Sequence, residues 1–210
     1  MSETVNRPRT NDDLRIAFFA ALLIGILITP VRADESAWRV WLEAKFLRAP
    51  VNAPVSNAQK TEYAAGTLAD GELTNFAQAD FQKLGVEWEK FSTKARENAA
   101  GDLARLKPRF ERDSRKTIIY AALESEHPIV ASAVLAPGFL DLWKETLGEK
   151  VLVVVPNRFT AYIFPRIASD YLSYYPMVFR AYHETAHPVS VEVFEVSAGG
   201  WRSIGAYQEP

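Results

Sequence analysis

One stretch near the N-terminus decides how much of this chain is available to fold. Arg15 precedes an unbroken apolar run from Ile16 to Ile28, Pro30 breaks it, and Val31-Arg32-Ala33 places small or medium side chains at the two positions a signal peptidase reads. A bilayer span needs about 20 apolar residues at a rise of roughly 1.5 Å each, whereas Ile16 to Thr29 supplies 14. The run is short for a span and right for a signal core, so residues 1–33 read as an export signal cleaved after Ala33. Asp12 and Asp13 stand near Arg7 and Arg9 ahead of the run, which weakens the positive lead and keeps an uncleaved anchor as the alternative. The expected location is periplasmic or extracellular, with the folding unit in residues 34–210.

Losing residues 1–33 removes four basic side chains (Arg7, Arg9, Arg15, Arg32) and three acidic ones (Glu3, Asp12, Asp13), leaving a net charge of about −3 on 177 residues. A field that weak gives no reason to expect nucleic acid or anionic lipid as a partner. The chain has no cysteine, which excludes a thiol nucleophile, cysteine-ligated zinc and a lipid tether through cysteine. Disulfides are common in exported proteins, but a domain of this length can stand on its core without them.

The apolar periods then place the elements. Trp38, Trp41, Leu42 and Phe46 recur at three- and four-residue steps and predict a helix from Glu35 to Leu47. Ala49-Pro50 to Gln59 has two prolines, two asparagines and no period, so it reads as a linker or extended arm. Thr61 to Leu68 and Glu72 to Phe76 flank Asp70-Gly71, a dipeptide suited to a tight hairpin. A short helix from Ala77 to Leu84 is closed by Gly85, and a long one from Glu87 to Leu106 carries Trp88, Phe91, Ala95, Ala99, Leu103 and Leu106 on one side before Pro108.

Thr117 to Leu123 is β-branched and aromatic and reads as a strand. Ile129 to Leu147 reads as one or two helical pieces broken at Pro137-Gly138 and capped by Gly148. Val151 to Val155 is apolar on both faces and should pair antiparallel with Phe159 to Phe164 through the turn Pro156-Asn157-Arg158. Ser169 to Ala186, begun by Ser169 or Asp170, is predicted helical up to Pro188, and Val189 to Val196 with Trp201 to Tyr207 forms a last hairpin. Helices and strands mix without strict βαβ alternation. The expected class is α+β, a single compact domain with a mainly antiparallel sheet and helices packed on one face. The expected divisions are a signal peptide (1–33), an N-terminal helix and linker (34–60) and an α+β domain (61–210).

One stretch spells a catalytic pattern. His183-Glu184-Thr185-Ala186-His187 matches the His-Glu-x-x-His of zinc peptidases, in which two imidazoles one helical turn apart hold zinc and the glutamate activates its water. It would make His183 and His187 metal ligands, Glu184 the general base, and Glu192 or Glu195 a third ligand. Pro188 argues against it, because it should fray the helix at His187. The two glutamates also follow too closely on a strand, and no His-x-x-Gly-x-x-His extension exists. A solvated helix end, its histidines favoured by the negative C-terminal dipole, is the preferred reading.

Other groupings are weaker. Glu124, Glu126 and His127 lie together in an expected turn as an acid–base set. Lys107, Arg109, Arg112, Arg115 and Lys116 alternate with Glu111 and Asp113, as on a solvated edge strand. Tyr171, Tyr174, Tyr175 and Tyr182 stand at helical spacing, as core or as a groove for a sugar or peptide. No nucleophile elbow, phosphate-binding glycine loop or dinucleotide fingerprint occurs.

Three stretches together resemble the YtpQ-like family of bacterial proteins, a domain of unknown function numbered 1444. They are Leu73 to Leu106, with Leu84-Gly85-Val86 before a long helix bearing Ala95 and Asn98-Ala99; Ala131 to Val155, closed by Pro156-Asn157-Arg158; and Pro188-Val189-Ser190 leading to Phe194 and Gly199-Gly200. The similarity covers roughly the C-terminal two-thirds. It implies a compact α+β domain and no assigned activity or catalytic residues, and an exported copy departs from its usually cytoplasmic members. The resulting expectation is an exported, non-catalytic binding or structural domain without metal or cofactor. A small zinc-dependent hydrolase centred on His183, Glu184 and His187 is the alternative, and membrane contact is expected only through an uncleaved leader.

Overall fold

The structure is a computed structural model that describes residues 34–168 and 170–208; the predicted signal peptide and Ser169 lie outside them. In chain order the strands are β1 (Trp38–Ala44), β2 (Asn52–Pro54), β3 (Thr61–Ala69), β4 (Glu72–Asn75), β5 (Arg109–Arg112), β6 (Ile118–Glu124), β7 (Val151–Asn157), β8 (Thr160–Pro165), β9 (Glu192–Ser197) and β10 (Gly200–Ala206). The helices are α1 (Gln78–Leu84), α2 (Trp88–Arg105), α3 (Val130–Ala133) and α4 (Tyr175–His183), with 3-10 turns at Glu35–Ala37, Lys45–Leu47, Leu140–Leu142 and Tyr171–Tyr174. The class is α+β with antiparallel pairing between its strands. No helix among the described residues is long and apolar enough to cross a membrane.

There are two sheets rather than one. In the smaller, β3 lies between β1 and β2, with β4 also on β3; in the larger the order is β10-β9-β7-β8-β6-β5. β7 sits at its centre, which accounts for an apolar run with no polar face. Alternate residues of β7 separate two cores. Val151, Val153 and Val155 join Phe91, Ala95 and Ala99 of α2, Val130 and Ala131 of α3, and Trp41 of β1. Leu152 and Val154 face Val178 of α4 and the rings of Tyr120, Tyr162 and Phe164. Helices therefore cover both faces of the larger sheet, not one face as expected from the sequence. The reason is the period of two in β7, which makes each face apolar and each in need of cover.

The second correction is β1. The helix predicted for Glu35 to Leu47 is a strand between two short 3-10 turns. All seven residues of β1 are buried, including Arg39 and Glu43. In sequence those charges look like the polar face of a helix. In the fold, Asp102 and Arg158 neutralise them, so both faces of an extended Trp-Arg-Val-Trp-Leu-Glu-Ala segment can be buried. The expected arm after Pro50 likewise supplies β2, whose neighbours Val51, Val55 and Ala58 are buried.

Elements with a strong local signal form as expected. Asp70 and Gly71 take φ of 51° and 82° at the β3–β4 turn, the left-handed pair a two-residue hairpin requires. Gly85, with φ of 65°, ends α1. β5 is one edge of the larger sheet and carries Arg109, Glu111 and Arg112 of the alternating charges. The helical stretch predicted for Ile129 to Leu147 is shorter than expected, reduced to α3 and one 3-10 turn.

Candidate functional site

The His-Glu-x-x-His stretch is not a helical turn. α4 ends at His183, with Glu184 as its cap. The cause lies in the end of β7, which captures the backbone that follows. Val189 N–H donates to Pro156 O at 2.8 Å, Ser190 N–H to Val155 O at 3.1 Å, and Arg158 N–H to His187 O at 3.2 Å. Asn157 Nδ2 donates to Ala181 O at 2.6 Å and so satisfies one of the carbonyls that a helix C-terminus leaves open. His187 is thereby held extended, beyond the helix.

The two histidines consequently serve different hollows. The His183 ring stacks on Phe179, with centroids 5.8 Å apart and planes at 15°. The His187 ring lies against Phe159 at 5.8 Å. Neither downstream glutamate offered as a third ligand is free. Glu192 is buried and accepts from the Gln59 N–H at 2.7 Å, the Lys60 N–H at 3.2 Å and the Thr61 hydroxyl at 2.6 Å. Glu195 accepts from Arg166 at 2.5 Å and Arg202 at 2.9 Å, and these two guanidiniums, Arg166 foremost, hold its carboxyl below the usual range. Among the described residues no group of three or more histidine or acidic side chains is placed to hold a metal.

The His183 hollow, of about 450 Å³, lies between the end of α4, the 3-10 turn after β1 and the chain at 189–191; it is lined by Lys45, Phe46, Lys60, Phe179, Tyr182 and His183, among others. No aspartate or glutamate lines it. Lys45 Nζ donates to Ala58 O at 2.8 Å, which fixes that ammonium at the rim. Phe46 remains 61% exposed.

On the other side of the β7–β8 turn, His187 shares a hollow of about 390 Å³ with Asp70, Glu72, Glu126, His127 and Arg158. Of the expected acid–base set, Glu126 and His127 line this hollow. Glu124 lines a neighbouring one and is paired with Arg109 at 3.1 Å. No hydrogen bond among the described residues joins the His127 ring to a carboxylate, so the set is adjacent without being connected.

Of the tyrosines at helical spacing, Tyr171, Tyr174 and Tyr182 pack on the second core, while Tyr175 is exposed. Tyr174 meets Tyr120 at 5.5 Å and Phe164 at 5.6 Å, and the Tyr207 hydroxyl donates to Tyr171 O at 2.7 Å. Burial, with Glu124 and Tyr120 adding to it, pushes the Tyr162 phenol up to about 12, and burial also raises Tyr207.

Sequence reasoning missed the charged groups that are deepest. Glu43 is fully buried and accepts from Trp41 Nε1 at 2.9 Å, from the Ala44 N–H at 3.1 Å and from Arg158 Nη2. The Arg158 guanidinium also lies over the Trp41 ring, 5.4 Å from its centroid. Arg39 donates to Asp102 at 2.7 Å, and Arg105 pairs with the same carboxylate. These pairs join β1 to the β7–β8 turn and to α2, and no signal local to either partner announces them.

Compared with known proteins, the chain matches no family model, no curated protein and no solved structure. What fold and site define is a cysteine-free, two-sheet α+β domain with an open, aromatic and lysine-lined hollow at the end of its last helix.

Proposed function

We propose that this chain is an exported, non-catalytic binding domain, released into the periplasm or medium by cleavage after Ala33, and that the His183 hollow is its binding place. The observation that carries the binding half is the composition of that hollow. It sets rings and two ammonium groups around an accessible space and brings no carboxylate into it, so it offers apolar contact surface and positive charge to a bound molecule. The buried charges Arg39, Glu43, Asp102, Arg158 and Glu192 are engaged in pairs and hydrogen bonds that tie the elements together. The export half rests on the leader pattern. Neither metal nor cofactor nor nucleic acid belongs to this reading. The YtpQ-like resemblance is compatible with it and adds no activity.

N-terminal sequencing of the protein recovered outside the cytoplasm should begin at Asp34; an intact chain dissolved in the cytosol refutes export. Titration with Zn(II) in a calorimeter should give no tight one-to-one site. A sub-micromolar site lost in His183→Ala would instead favour the zinc hydrolase, whose peptidase turnover should then vanish in Glu184→Gln.

A further inference from the structure

Resting on that reading of the His183 hollow, we infer that its ligand is an amphiphilic carboxylate: a small molecule with an apolar body and a single anionic head. The body is specified by the walls. Phe46, Phe179 and Tyr182 present rings and Val189 and Val191 present aliphatic surface. The ring row continues along α4 at four-residue steps, since Tyr175 meets Phe179 at 6.4 Å and Phe179 stacks on His183, positions that share one helical face. A volume of about 450 Å³ lies in the range of small-molecule sites, roughly 300–1,000 Å³, which bury an apolar body and fix it with a few polar groups.

The head is specified by charge. Lys45 and Lys60 both line the hollow, His183 adds ring nitrogens, and no lining residue is acidic. Lys45 is partly committed, through Ala58 O and through its attraction to Glu62. The Lys60 ammonium makes no ion pair or hydrogen bond among the described residues. Glu192, which accepts from its backbone N–H at 3.2 Å, is buried and engaged by the donors of Gln59, Lys60 and Thr61. Lys60 is therefore the head-group partner, and a charge-assisted N–H to carboxylate bond at the mouth of an apolar space is stronger than its exposed counterpart. A cationic head meets two ammonium groups there, and a body without a head leaves Lys60 unused.

The test uses octanoate as probe, with octylammonium and acetate as controls, in calorimetric and NMR titrations of the purified protein below micellar concentrations. Octanoate should bind one per chain and shift the resonances of Tyr182 and His183, while octylammonium and acetate bind at least tenfold more weakly. Lys60→Glu should weaken octanoate at least tenfold. Phe46→Ser, at a residue exposed enough to leave the fold intact, should weaken it several-fold, and both variants should keep the wild-type thermal midpoint. Equal binding of octylammonium, or unchanged affinity in Lys60→Glu, overturns the carboxylate assignment while leaving a binding domain. Absence of saturable octanoate binding overturns it as well, whereas a tight zinc site would overturn the binding reading itself.

Discussion

Replacing Arg158 by methionine tests the reading that the buried pairs hold the sheets together. Glu43 is fully buried, and its remaining donors are the Trp41 indole N–H and one backbone N–H. Arg158→Met keeps most of the side-chain volume over Trp41 but leaves that carboxylate without a counter-charge, and breaking a buried pair on one side costs about 3–5 kcal/mol. A domain of this size has a total stability of about 5–15 kcal/mol, so a large share is lost. At roughly 2–4 °C per kcal/mol for 150–250 residues, the midpoint should fall by about 6–20 °C. Urea unfolding followed by tryptophan fluorescence measures the loss. Glu43→Gln/Arg158→Met should cost less than the sum of its single variants, because each single variant strands a buried group that the double one removes. A loss below about 1 kcal/mol in Arg158→Met, or strict additivity in the cycle, would falsify the claim that this pair couples β1 to the β7–β8 turn.

Two glycines should respond in opposite directions. A Cβ on Gly66 meets Thr74 O at 1.9 Å and the Trp41 ring at 2.8 Å, so Gly66→Ala should destabilise by roughly 3 kcal/mol or more. Gly101, exposed in α2 with nothing within 4 Å, should gain about 0.5–1 kcal/mol as alanine; thermal denaturation of the two variants decides both. Burial holds the Glu62 carboxyl above its ordinary value of 4.5, with Glu43 opposite it on β1 adding to the effect. A raised folded pKa gives stability that is present below the unfolded value and lost as pH rises through the folded one. Glu62→Gln should therefore match the wild type near pH 4 and exceed it at pH 7 in urea unfolding, and an identical pH profile for the two proteins refutes the shift. Asn157→Ala removes the donor to Ala181 O and should fray the last turn of α4, seen as faster amide exchange at its C-terminus and a loss of about 1 kcal/mol.

The elements legible in the chain are those whose signals are local. The β3–β4 hairpin was marked by Asp70-Gly71, the end of α1 by Gly85, and α2 by a period that returns Phe91, Ala95, Ala99 and Leu103 as buried residues. The misread element is β1. Its helical stripe of tryptophans was real, but its charges are answered by Asp102 and Arg158, which lie 63 and 115 residues away. The candidate site shows the same division. His183 and His187 look like partners in the string of letters, yet β7 draws residues 187–190 alongside itself and parts them into separate hollows. The hollow that holds His183 takes walls from residues 44–46, 59–60, 179–183 and 189–191, segments that nothing in their own neighbourhoods would associate.

Taken by itself, the chain of residues determined an α+β class and the turns and caps that demand particular residue types, because each depends on neighbours within a few positions. Tertiary structure alone decided that Trp38–Ala44 is a strand, that helices cover both faces of the larger sheet, and where the helix before His187 ends. Each of those outcomes balances the cost of burying a charge or a backbone group against a partner far along the chain, and that partner exists only once the chain has folded.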